Sequence, residues 1–192
     1  MFEHDRATTA VERLTTIGRG QLATLCLLRM SGLVTDARIE REYPAIPRLV
    51  EQIRQHSVAC AQQLPSDIDP EDLDRNLRDF LGSDEYPQEE LPGWGSWVMD
   101  VSSLADYVLR TWRNPDSSAT NAFQVLLAAY SIAGFLESES NSPGVPDLAE
   151  TEFQRQMLDA AEIADGRMWG ELVRSSINLE QVYAGWIEHV TA

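Results

Sequence analysis

The chain contains no lysine. All 15 of its basic residues are arginine, set against 31 Asp and Glu, for a formal net charge of −16 over 192 residues. A surface this negative repels nucleic acid and anionic membrane and attracts cationic partners. Basic patches interleaved with aromatics, the signature of a nucleic-acid binder, are missing too. The absent lysine fits the codon usage of a GC-rich bacterial genome; avoidance of lysine-directed tagging is the alternative. Cysteine is scarce: Cys26 and Cys60 both fall in apolar helical stretches. Reduced, buried thiols are expected, with a disulfide as the alternative, since nothing else marks a secreted scaffold. The opening MFEHDRATTAVERL is charged where a signal peptide needs an apolar run. No stretch is read as reaching the roughly 20 apolar residues of a membrane span. A cytoplasmic protein with no nucleic-acid or membrane partner is the expectation.

Motifs that carry chemistry are lacking as well. There is no His-Glu-x-x-His, no Cys-x-x-Cys and no glycine-rich phosphate loop. The three histidines, His4, His56 and His189, are not joined by any motif to a nucleophile or a second ligand. His56 and Cys60 are four residues apart, close enough to share a helix face, but a reactive thiolate needs an electropositive, partly open site. A boundary histidine beside a core cysteine is the expected arrangement. The carboxylates from Asp67 to Asp74 lack the sixth-position glycine and terminal glutamate of a calcium loop. Gly93-Trp94-Gly95-Ser96-Trp97 lacks the second glycine and the preceding strand of a serine elbow. Carboxylate pairs such as Glu137/Glu139 and Glu150/Glu152 are too common among 31 acids to single out acid–base work. No catalytic residue, cofactor or metal is expected.

What the sequence does have is helical periodicity almost throughout. Helices are expected at Ala7–Ile17, Gln21–Met30, Asp36–Glu42, Pro47–Gln63 and from Asp69 to Leu81. Gly18 and Gly20 interrupt the pattern between the first two, and Gly32 is a plausible C-cap of the second. Further helices are expected at Ser96–Trp112, Ser117–Glu137, Leu148–Asp165, Glu171–Arg174 and Asn178–His189. Gln21–Met30 is apolar on most sides, and Trp97, Val101, Leu104, Val108 and Trp112 form one stripe, so these two helices should be the most buried. Without an alternating strand pattern, a repeat or a low-complexity tract, the chain is an all-α, single-domain bundle of seven to nine helices.

The negative charge has an address. Ten of the acids lie between Ser66 and Glu90, with only Arg75 and Arg78 against them. Asp69-Pro70-Glu71-Asp72 is a helix start, with a capping Asp, a first-turn Pro and acids favoured by the helix dipole. The dipole alone accounts for acids at that place, so a solvated face is one reading and a partner face the other. On the partner reading, Asp67, Asp69, Asp72, Asp74, Asp84, Glu85, Glu89 and Glu90 meet a basic protein. Trp94, in its Pro- and Gly-rich surroundings, is either core or an interface anchor beside them.

Leu14-x-x-Ile17-x-x-x-Gln21, leading through Ala23 to Cys26-Leu27-Leu28-Arg29, resembles the opening of the YjaG-like family, an all-helical bacterial family of unknown function. The similarity continues through Asp100, Leu104 and Ala105, through Ile132-Ala133-Gly134-Phe135-Leu136-Glu137, and to Phe153-Gln154. It covers most of Leu14 to Asp165; Ser31-Gly32-Leu33 replaces the family's Pro-Asn-Tyr, and the tail from Gly166 is unmatched. The resemblance implies a helical bundle with no catalytic residue to carry over. It also implies, through the gene neighbourhoods of such families, either signalling or the neutralisation of bacterial toxins. The expected function is a non-catalytic acidic binding protein, in the first place an immunity protein for a toxin with a basic surface. A cytoplasmic adaptor or regulator is the alternative, and an enzyme or small-ligand binder around the central tryptophans and Asp100 is a third.

Overall fold

Side-chain caps set the helix starts. Thr15 accepts the Gly18 N–H at 3.1 Å, and Asp36, Asp69 and Asp147 accept the N–H groups of Arg38, Glu71 and Glu150 at 2.8–2.9 Å. Each satisfies one backbone donor that a helix N-terminus leaves open. The computed structural model describes residues 2–82, 93–139 and 147–190, with the backbone alone at 93–95, 139 and 186–190. Among the described residues there are nine α-helices and no strand. They are α1 (His4–Glu12), α2 (Thr16–Met30), α3 (Ala37–Glu42), α4 (Ala45–Ala61) and α5 (Pro70–Leu81), then α6 (Gly93–Arg113), α7 (Ser118–Glu139), α8 (Leu148–Ala164) and α9 (Trp169–Val190). Short 3-10 turns at Ser31–Val34 and Pro115–Ser117 follow α2 and precede α7.

The hub is α2, against which α4, α6, α7, α8 and α9 all pack. Every residue from Leu22 to Met30 is buried, as the lack of a polar face on this stretch requires. The α6 stripe faces the same core: Trp97, Val101, Leu104 and Val108 are fully buried, and Trp112 is half-buried. One apolar cluster runs from Phe2 to Tyr183, and a smaller one joins Leu25 and Leu28 of α2 to Leu172 of α9. The chain is therefore an all-α single-domain bundle, with the two expected helices at its centre.

Four details differ from the expectation. The first break comes at Thr15, not at the glycines, which lie inside α2. Gly20 is there for space: a Cβ on it would stand 2.5 Å from Cζ2 and 2.6 Å from Cε2 of Trp112. The indole lies on α2 and donates from Nε1 to Thr24 Oγ1 at 3.2 Å, and that hydroxyl donates to the Gly20 carbonyl at 2.8 Å. Gly20→Ala should push the ring away and cost about 1–3 kcal/mol, the usual range for overpacking; thermal melting with Trp112 fluorescence checks this, and an unshifted melt would contradict the contact.

Gly32 is not a left-handed cap but sits in the 3-10 turn, where a Cβ would meet Glu180 at 3.0 Å and Ala184 at 3.2 Å. It lets α9 close onto α2. The third difference is α9 itself, which runs unbroken through Asn178 where two helices were expected. Finally, contrary to the expectation that no stretch reaches a membrane span, Pro115–Ser138 is long and apolar enough by length and composition. In the fold it packs against α1, α2, α6, α8 and α9 as a core helix.

Candidate functional site

The acidic helix start is built as the residues dictate. Leu73 and Leu77 of α5 are buried against the bundle, which turns the remaining positions outward. Asp67, Asp69, Glu71, Asp72 and Asp79 are exposed. Arg75 reaches Asp72 at 2.9 Å, and Arg113 of α6 reaches Glu71 at 2.6 Å. Asp74 departs from the set: it is buried, facing Arg113 at 2.9 Å and Arg78 at 3.1 Å. Its carboxylate fastens α5 to α6 and is not presented to a partner. Beside it, burial lifts the Asp106 carboxyl above the ordinary range, against the opposing pull of Arg110. Asp84, Glu85, Glu89 and Glu90 lie outside the described residues, and Trp94 is described in its backbone alone, within α6.

Next to this face a groove of about 750 Å³ opens between α3, the start of α4 and α5. Its apolar lining is Pro44, Ala45, Ile46, Pro47, Leu49 and Phe80. Glu40 of α3 and Asp79 of α5 supply its acids, Asn76 and Gln52 its amides, and Arg48 is the one cation among the described residues that line it. Among the described residues no ion pair engages Glu40 or Asp79. Two other grooves are balanced in charge. The one between α1 and α8 sets Asp5 and Asp165 against Arg6 and Arg13, and the one between α4 and α9 sets Glu51 against Arg54. A third, between α1 and α7, has Glu12 and no cation in its described lining, so it too is acidic by one charge; the groove beside α5 sets two acids, Glu40 and Asp79, against Arg48.

A second assembly of charge is fully inside. Arg29 of α2 is 0% exposed and uses all five of its N–H groups. Nε donates to Glu152 Oε2 at 2.9 Å and Nη2 to Glu152 Oε1 at 2.7 Å. Nη1 donates to Asp159 Oδ2 at 2.7 Å and to Ser176 Oγ at 3.3 Å, and the last Nη2 hydrogen faces Cys26 Sγ at 3.3 Å. Tyr183 Oη and Gln156 Nε2 complete the Glu152 carboxylate at 2.9 Å and 3.1 Å. Burial alone would favour loss of the Arg29 proton, but the two carboxylates outweigh it and hold the guanidinium charged. Burial pushes the Cys26 thiol and the Tyr183 phenol well up, so both stay protonated.

From Asp159 the charges alternate outward. Arg155 bonds Asp159 at 2.5 Å and Glu162 at 3.2 Å, Glu162 pairs with Arg167, and Arg167 bonds Glu171 at 3.1 Å. This string joins α2, α8 and α9. It is a locking device, since Arg29, Glu152 and Asp159 are all shut away from solvent. Sequence reasoning missed it by setting Glu152 aside as one acid among many. The signal was available: Glu152, Gln156 and Asp159 at i, i+4 and i+7 put three polar groups on the otherwise apolar inner face of an amphipathic helix.

The remaining sequence candidates are placed as follows. His56 Nε2 lies 3.5 Å from Cys60 Sγ. Burial lowers the imidazole and raises the thiol, so the pair is neutral, the reverse of a thiolate–imidazolium. Both cysteines are free thiols. Trp97 is fully buried while Asp100 faces solvent. Among the described residues no three His, Cys, Asp or Glu stand where they could hold a metal.

No family model, curated protein or solved structure matches the chain.

Proposed function

We propose that this is a non-catalytic acidic binding protein whose partner is a basic protein, and that it serves as an immunity protein covering the cationic site of a cognate bacterial toxin. The observation that supports this is the division of labour in α5. Asp74 and Glu71 are engaged by Arg113 and hold the helix to α6, while Asp67, Asp69 and Asp79 are exposed and in no ion pair among the described residues, and Asp79 borders a groove lined by two acids and one arginine. Toxins that act on nucleic acids or nucleotides carry cationic sites, towards which such a surface steers and over which it can close. The sequence continues the negative charge through Asp84, Glu85, Glu89 and Glu90.

Affinity capture from the native organism should return a basic protein. Its association rate should fall as salt rises, because screening shortens the reach of exposed charges to about 8–10 Å. Reversing Asp67, Asp72, Asp84, Glu85, Glu89 and Glu90 together to arginine should weaken that complex at least about tenfold. Unchanged affinity and salt slope would place the interface elsewhere. Rescue of cell growth on co-expression with the captured protein separates an immunity role from that of an adaptor, whose partner would not be toxic.

A further inference from the structure

We propose that the groove between α3, the start of α4 and α5 receives one amphipathic helix of the basic partner, its apolar side chains on the floor and an arginine or lysine between Glu40 and Asp79. This inference rests on the reading of a basic protein partner.

The groove offers the two surfaces such a helix needs. Its floor is aliphatic and aromatic: Ile46 and Leu49 come up from the core, and half-buried Phe80 is held edge-on to the buried Tyr43 ring at 6.3 Å and 89°. An amphipathic helix lays its apolar stripe into a hydrophobic groove of this kind. Glu40 and Asp79 are exposed, on different helices that border the same groove. A long cationic side chain covers apolar surface with its methylene stem and brings its charge to the rim. There a guanidinium and a carboxylate form short, charge-assisted hydrogen bonds. Charge also decides against other occupants. An acidic segment would meet both Glu40 and Asp79 with Arg48 to offset one of them, and a second copy of this chain would bring another −16. The two charge-balanced grooves lack this preference, and the groove between α1 and α7 has the single acid Glu12 in its described lining, so it cannot hold a cation between two carboxylates.

The test uses the full chain and a synthetic probe: a short acetylated and amidated helical peptide with leucines along one face and arginines flanking them. The side-chain amides of Gln52 and Asn76 line the groove and act as reporters in a nitrogen–proton NMR titration. The expected result is saturable shifts at both amides and along the α4 start. Replacing the peptide's arginines with citrulline, the neutral isostere, should weaken binding about tenfold, as should Glu40→Gln combined with Asp79→Asn. Both substitutions are on the surface, so unchanged melting would show that the variant is folded.

Shifts confined to the Asp67–Asp72 end, with Gln52 and Asn76 unmoved, would overturn the groove while leaving the basic-partner reading intact. Equal binding of the citrulline peptide, or no binding at all, would also overturn it. A captured native partner that is acidic and insensitive to salt would instead remove the functional reading, whatever the peptide does.

Discussion

Arg29→Met should cost about 3–5 kcal/mol of folding stability, the penalty for breaking a buried ion pair from one side. The substitution leaves the Glu152 and Asp159 carboxylates inside the bundle, both fully buried. Tyr183, Gln156 and Arg155 cannot replace a fork that was supplying three hydrogen bonds to Glu152 and one to Asp159. Arg29→Lys should fail as well, because an ammonium has three donors and no planar fork for the five acceptors around it. Urea unfolding checks both. The informative comparison is the triple variant Arg29→Met, Glu152→Gln, Asp159→Asn. Removing all three charges should recover part of the loss, because the damage in the single variant is the uncompensated charge and not the missing contact. A single variant that loses less than about 1 kcal/mol would mean that water reaches these carboxylates.

Leu104→Ala should cost about 2–5 kcal/mol, through lost transfer free energy and the cavity left behind. Leu104 is fully buried on the α6 stripe, where α6 meets α2 and α7. The same unfolding measurement applies. A loss under about half a kcal/mol, the size of a surface substitution, would mean that the stripe does not face inward. Leu104 does not line the acidic groove, so a folded variant studied at low temperature should still take up the basic peptide.

Much of the fold was legible because α2, α4, α5, α6 and α8 display the properties that place them. Apolar residues repeat at helical spacing, Asp36 and Asp69 cap, and Pro70 and Gly82 bracket α5. The errors arose where a local signal met a tertiary reason. Gly18 and Gly20 look like breakers in a one-dimensional pattern, yet Gly20 is the gap that admits the Trp112 ring. Asn178 looks like a cap, yet α9 passes through it because Ser176 and Tyr183, on either side, are both engaged by the charge network. The candidate site was legible only as charge. Periodicity shows Leu73 and Leu77 turning inward, but not that Asp74 turns with them towards Arg113, a partner 39 positions away. The groove was beyond sequence reasoning altogether, since its walls come from three helices. Arg29 was visible as a charge in an apolar stretch, but Glu152, Asp159 and Ser176, which hold it, are separated from it by 123 to 147 residues.

That separation bears on how the protein is made. Arg29 leaves the ribosome in a helix that is buried from Leu22 to Met30 in the finished fold, and Glu152, Asp159 and Ser176 follow 123, 130 and 147 residues later. Until α8 and α9 have been synthesised, α2 cannot bury its guanidinium without leaving it unpaired. The helix at the centre of the finished bundle is therefore barred from its final place until those residues have been made. The bundle closes around α8 and α9, with the closure entropy of very long loops met only when both carboxylates arrive. A nascent chain halted before α8 holds an apolar helix with nowhere to go, the kind of surface that chaperones and proteases recognise. The same arginine that locks the folded molecule thus delays commitment until α8 and α9 have been made.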